Sequence, residues 1–255
     1  MLFILVGGRY EWSQPPPKIT RPGDNVLVRL STIFADFGQS LTDPSNSASI
    51  GNDLSGWSAL SKNRSSSLAI WDYSTNFASF LTPFPSWSVI GVNVKHYHQL
   101  GISTVFSEGS YSSPGGDMTR LQAYVLGRML FNASLDPQAL LDEFVLGYFG
   151  PHVAPFIRLY MDIFKGAIYD GVGTGSPNYR TSTGTVWVPT NQYVGGMPSD
   201  AAFLSPIAML TAGAAFANAK TVAAAKGAAV HVARVDEASM PVRAVALLKW
   251  TNLSR

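Results

Sequence analysis

A chain of 255 residues in which 46% of side chains are hydrophobic and 13% charged has the material for a sizeable core, which excludes general disorder. Its 18 basic and 16 acidic residues leave a net charge of +2 and form no long runs, so DNA and RNA are not expected as partners. There is no cysteine, which excludes disulfides and thiolate metal sites yet leaves the cellular compartment open.

In chain order, Leu2 to Val6 reads as a buried strand, because a signal peptide would need a basic leader and a longer apolar core. No apolar stretch reaches the roughly twenty residues of a membrane span, so a soluble protein without a membrane partner is expected. Pro15, Pro16 and Pro17 forbid helix and stiffen the loop that leads to a second strand, Val26 to Leu30. Residues 38 to 56 are rich in Ser, Asn, Asp and Gly and form a loop before a short helix near Trp57. Leu68 to Tyr73 is a third strand whose end carries Asp72 between Trp71 and Tyr73. From Ser86 to Leu100 the apolar positions Trp87, Ile90, Val94 and Tyr97 recur at helical spacing, and Gly101 stops the helix. Ser103 to Phe106 forms the fourth strand, with Glu108 just beyond it. Strand, helix and strand with short joints make a βαβ unit, whose two strands run parallel, so both acids should emerge on one rim.

From Asp117 onward helices follow. Met118, Leu121, Tyr124, Val125 and Met129 share one face; Asp136 and Pro137 suit the N-cap and first position of the next helix, which Gly150 ends. A third helix runs through Phe156, Leu159, Tyr160, Ile163 and Phe164. Residues 171 to 200 lapse into Gly, Ser, Thr and Pro, and the Ala-rich stretch from Asp200 to about Val235 returns to helix. The sequons at Asn63, Asn132 and Asn252 are compatible with chance and do not decide localisation. Four strands cannot close an eight-stranded barrel, so the chain reads as incomplete, and secretion stays open if its natural N-terminus is missing.

Two acids at the ends of parallel strands, set among aromatics, are the equipment of glycosidic-bond cleavage. Glu108 follows a buried strand and is therefore desolvated or paired, which tunes it for acid or base work; the structural alternative is an acid bonded to loop amides. Asp72 suits a nucleophile, a base or an acceptor for a sugar hydroxyl. Trp71 and Tyr73 offer flat walls for sugar rings, whereas Phe77, Phe80 and Trp87 read as core. His96 and His98 are two apart on a helix and do not share a face, so no metal is expected. Gly171 to Gly175 lacks the Lys-Ser/Thr end of a phosphate loop, and no cofactor is expected.

The run Trp71-Asp72-Tyr73 with Asn76-Phe77, then Pro83-Phe84-Pro85, His98-Gln99-Leu100-Gly101 and Phe106-Ser107-Glu108-Gly109, resembles the domain of unknown function 4838 family. Patches around Tyr10 with Pro16-Pro17, at Leu121-Gln122-Ala123-Tyr124, at Asp142-Glu143-Phe144 through Gly147-Tyr148-Phe149-Gly150 and at Arg234-Val235 extend the resemblance over most of residues 2 to 245. That family is similar to glycoside hydrolase TIM barrels and is often found beside an α-glucuronidase-type N-terminal domain. The resemblance implies an α/β fold in which residues 1–116 are the C-terminal half of a TIM-barrel-like domain and residues 117–255 a helical region. It adds Asn76 and Tyr10 to the expected substrate contacts. The expected function is glycoside hydrolysis by Glu108 and Asp72, with a truncated form included in the reading. The alternative is a noncatalytic carbohydrate-binding protein, and a third class is a structural domain whose acids tie loops together. A carbohydrate is the expected partner, and the oligomeric state is open.

Overall fold

A computed structural model describes residues 2–6, 23–33, 35, 37–46, 50–61, 68–76, 79–102, 104–110, 116–169 and 204–253. It is an α/β protein. Strands β1 (Leu2–Val6), β2 (Val26–Ser31), β3 (Leu68–Tyr73) and β4 (Thr104–Glu108) form a parallel sheet in the order β1-β2-β3-β4. Between β2 and β3 lie the short α1 (Pro44–Asn46) and α2 (Asn52–Leu60); between β3 and β4 lies α3 (Ile90–Gln99). Then follow α4 (Thr119–Phe131), α5 (Pro137–Phe149), α6 (Ala154–Tyr169), α7 (Pro206–Ala225), α8 (Ala229–Ala238) and α9 (Met240–Leu253).

The strand register assigns the two faces of the sheet. Arg29 lies opposite Ala69, Ser31 opposite Trp71, Trp71 opposite Phe106 and Tyr73 opposite Glu108. Side chains alternate along a strand, so Arg29, Ser31, Trp71, Tyr73, Phe106 and Glu108 share one face. Val28, Leu30, Leu68, Ile70 and Asp72 occupy the other. That second face carries the helices: Val28, Leu30 and Ile70 form a buried cluster with Leu54 and Trp57 of α2 and Tyr97 of α3. Strand β3 is central and covered, which explains its unbroken apolar run Leu68-Ala69-Ile70.

A second hydrophobic cluster fills the helical region, with Leu121, Val125, Met129, Leu141, Val145, Ile157, Tyr160, Phe164 and Phe216 in its interior, and it reaches back to Trp87, Ile90 and Val94. Helix α3 thus contributes to both clusters, Ile90 and Val94 to the second and Tyr97 to the first. Capping follows the expected chemistry at α5, where Asp136 Oδ1 accepts from the Gln138 N–H at 3.0 Å and Pro137 opens the first turn. Gly150 ends that helix at φ 82°, ψ 160°, a region that side chains other than glycine rarely enter.

Several expectations need adjustment; helix α2 begins at Asn52, inside the stretch 38 to 56 expected as loop. The helix foreseen over Ser86 to Leu100 divides into a 3-10 turn, Pro85–Ser88, and α3, because Pro85 starts a tight turn whose Ser86 carbonyl accepts from the Val89 N–H. Strand β4 extends to Glu108 instead of stopping at Phe106, and it is partly exposed where a buried strand was expected. The Ala-rich helix breaks at Gly227, whose φ of 66° interrupts the turn, and α9 follows where no helix was foreseen. Lastly, α7 has the length and composition to cross a membrane, contrary to the sequence reading; its Ala212, Ala215, Phe216, Ala219 and Ala223 are packed inside the protein. The segment 171–200 lies outside the described residues.

Candidate active site

Glu108 is the last residue of β4 and half-buried. One carboxylate oxygen, Oε1, accepts a hydrogen bond from the Trp71 indole Nε1–H at 2.5 Å. The parallel register makes this bond natural: Trp71 lies two residues before Tyr73, the partner of Glu108, on the same face. The Trp71 ring meets Phe106 edge-on, with centroids 5.3 Å apart and planes at 87°. The guanidinium of Arg29 lies 5.9 Å from the Trp71 ring centroid, within cation–π range. Phe106 is 48% exposed, so this corner of the sheet faces outward. A carboxylate, an indole, a guanidinium and an exposed phenyl ring therefore converge on one patch at the C-terminal end of the sheet.

The main chain of Glu108 is also held. Its carbonyl accepts from both the Ser74 N–H, at 2.8 Å, and the Ser74 hydroxyl, at 3.1 Å. Glu108 is thus fixed at the backbone by the turn after β3 and at the carboxylate by Trp71.

Asp72 lies elsewhere. Although it neighbours Trp71 and Tyr73 in sequence, the alternation of the strand turns it to the helix-covered face, away from Glu108. Thr32 Oγ1 donates to Asp72 Oδ1 at 2.6 Å and Tyr97 Oη donates to Oδ2 at 3.0 Å. These bonds join the end of β2, the end of β3 and helix α3. Burial raises the Asp72 pKa above the usual carboxylate value, while the hydrogen bonds from Thr32, the Tyr73 backbone and Tyr97 oppose that rise. Burial, followed by the charge of and hydrogen bond to Asp72, pushes the Tyr97 phenol well above its ordinary value, so that it remains a donor. The two acids share a rim, as expected, but not a face.

Tyr73 shares the Glu108 face but is buried: it packs edge-on against Phe37 at 6.0 Å, and its hydroxyl is 3.3 Å from Ser31 Oγ. Asn76 is buried in the turn after β3, where its carbonyl accepts from the Ser79 N–H. Tyr10 lies outside the described residues. The structure therefore brings Glu108 and Trp71 together, buries Tyr73 beside Glu108 and separates Asp72. The sequence reading missed Arg29 and Phe106 as neighbours of Trp71, and Thr32 and Tyr97 as partners of Asp72. Counting strand parity from Trp71 would have separated Asp72 from the aromatics; the partners of Asp72 required the tertiary register.

Among the described residues no group of His, Asp and Glu is arranged to hold a metal ion. Another buried acid, Asp117, sits just before α4. Its Oδ2 accepts from the Phe84 N–H at 2.7 Å and its Oδ1 from the Tyr160 hydroxyl at 2.6 Å. Burial raises its pKa to about 6, against the lowering effect of those bonds.

Comparison with known proteins gives one result. The family described as a domain of unknown function, DUF4838, matches residues 8–162, a span that takes in β2 to β4, the Glu108 patch, and α4, α5 and part of α6. No significant match is found among curated proteins or solved structures. With more than half of its length matched, the chain belongs to the DUF4838 family.

Proposed function

We propose that this DUF4838 protein acts on carbohydrate as a glycoside hydrolase-like protein, with Glu108 as its acid or base and Trp71 as both the orienting donor and a wall of the sugar site. The observation that carries the reading is the 2.5 Å bond from the Trp71 indole to Glu108, at the C-terminal end of a parallel strand and beside exposed Phe106. A carboxylate so placed offers one oxygen to its positioning donor and the other to a ligand. Flat aromatic faces next to it suit the C–H faces of sugar rings. The finer fold reading is that the sheet is a portion of a TIM barrel. Its support is that four parallel strands lie in chain order with α2 and α3 covering one face, as neighbouring units of such a barrel do.

In this reading Asp72 is a positioning residue that clamps β2 and α3 to β3, and the second acid of a hydrolytic pair has to come from a residue other than Asp72. That same geometry supports the second reading, a noncatalytic carbohydrate-binding protein: of Glu108 and Asp72, only Glu108 is presented on the patch. A screen of aryl glycosides and uronides, with the chain beside its Glu108→Gln and Asp72→Asn variants, separates the two. Turnover lost in Glu108→Gln and retained in folded Asp72→Asn supports hydrolysis. Glycan binding without turnover supports the binding reading, and neither turnover nor binding overturns both.

A further inference from the structure

A chain of hydrogen bonds, buried from Ser74 inward, runs from Glu108 into the helical region. The Glu108 carbonyl accepts two bonds from Ser74. The Ser74 carbonyl in turn accepts from Ser86 Oγ at 3.0 Å. Ser86 Oγ accepts from Gln122 Nε2 at 3.2 Å, and the same Nε2 donates to the Asp117 carbonyl at 3.1 Å. Ser74, Ser86, Gln122 and Asp117 are all buried. Each hydroxyl donates once along this path, and the Gln122 amide uses both of its protons, so the polarity of the chain is fixed.

The helical end of the chain is anchored. Asp117 is held by Phe84 and Tyr160, and the residue after it, Met118, adopts φ 47°, a left-handed conformation costly for a side chain of its size. Such a conformation persists where surrounding contacts impose it, and four residues on, in the first turns of α4, Gln122 is buried. A leucine or methionine at position 122 would fill the core as well as glutamine does. A glutamine there satisfies the Ser86 hydroxyl and the Asp117 carbonyl at once, and packing alone does not require it.

We propose that Gln122 is a positioning residue for Glu108, acting through Ser86 and Ser74 to hold the end of β4 so that the Glu108 carboxylate stays on the Trp71 indole. Its chemical meaning rests on the function proposed above; its geometry rests on the hydrogen bonds alone. Releasing Gln122 frees Ser86 to rotate, loosens the turn at Ser74 and lets the Glu108 backbone shift, which lengthens the bond to Trp71. A residue with a purely packing role would leave that bond unchanged.

The test follows the Trp71 indole N–H resonance in proton–nitrogen correlation spectra of the full chain, assigned by its disappearance in Trp71→Phe. Gln122→Met keeps the volume and removes the donors, Ser86→Ala cuts the chain one link later, and Met129→Leu is a volume-conserving control in the same helix. Gln122→Met and Ser86→Ala are expected to move the Trp71 resonance upfield, as a weakened hydrogen bond does, while Met129→Leu leaves it in place. An unmoved Trp71 resonance in folded Gln122→Met overturns the proposal. If that variant fails to fold, Ser86→Ala decides in the same way. Because the readout needs no substrate, a shifted resonance in a protein that neither binds nor cleaves glycans would sink the functional reading and leave the positioning role standing.

Discussion

Replacing Tyr160 by Phe removes one hydroxyl and little else. The ring packs against Phe164 at 5.2 Å and Phe216 at 4.8 Å, contacts that phenylalanine retains. What disappears is the 2.6 Å bond to Asp117 Oδ1. Asp117 has its pKa raised from 3.8 to about 6 on folding, so the unfolded chain ionises first as pH rises. A group raised in this direction stabilises the fold fully below about pH 4 and loses that contribution as pH climbs through about 6. A shift of about two units corresponds to about 3 kcal/mol. The tyrosine hydroxyl opposes the loss by solvating the anion, and a bond to a charged group contributes about 1.5–3 kcal/mol against about 0.5–1.5 kcal/mol to a neutral one. Tyr160→Phe should therefore cost about 1.5–3 kcal/mol near pH 7.5 and about half as much near pH 4.5. For a chain of this size the larger loss is a drop in Tm of roughly 3–12 °C. Urea unfolding at both pH values measures it. An equal loss at the two pH values, or none at either, would refute the account of Asp117 as an acid that folding leaves ionised at a cost.

Asp72→Asn should lower stability by about 1–3 kcal/mol, since one donor from Thr32 or Tyr97 then meets an amide N–H, yet folded protein should retain glycan binding; unfolding curves and a binding titration check both parts. Gly150→Ala should cost about 1–3 kcal/mol or more, because φ 82° strains any side chain and a Cβ there would lie 2.5 Å from His231 Cε1; thermal unfolding reads the loss. Asp136→Ala should cost about 1 kcal/mol through the lost cap of α5, seen as a lower urea midpoint at unchanged slope. If the chain is a hydrolase, Glu108→Gln should lower kcat by about 10²- to 10⁴-fold with little change in substrate binding, measured by steady-state kinetics.

Much of the fold was legible because local signals agreed with tertiary needs. The strand at Leu68 to Tyr73, the helical spacing of Trp87, Ile90, Val94 and Tyr97, and the Asp136-Pro137 start of α5 each carry their own reason in neighbouring residues. The same spacing concealed the 3-10 turn at Pro85–Ser88, since a face of three- and four-residue steps is shared by both helix types over one turn. The break at Gly227 was hidden within a stretch whose alanines favour helix throughout.

The site was legible by type and less so by direction. Placing Glu108 and Asp72 at strand ends follows from sequence, whereas their division between two faces follows from register, which long-range pairing sets. The bond from Trp71 to Glu108 joins residues 37 apart on adjacent strands, and no local pattern announces it. Gln122 looks like one polar residue on a helix until Ser86 and the Asp117 carbonyl converge on its amide.

The central claim is that carbohydrate meets this protein at the Trp71 and Glu108 patch. The most direct test is a titration of the chain with a panel of neutral and acidic oligosaccharides while the Trp71 indole resonance is followed, repeated in Glu108→Gln. The account predicts a saturable displacement of Trp71 by at least one glycan and a weakened or absent response in the variant. Saturable binding that leaves Trp71 unmoved, or no binding by any glycan, would contradict it.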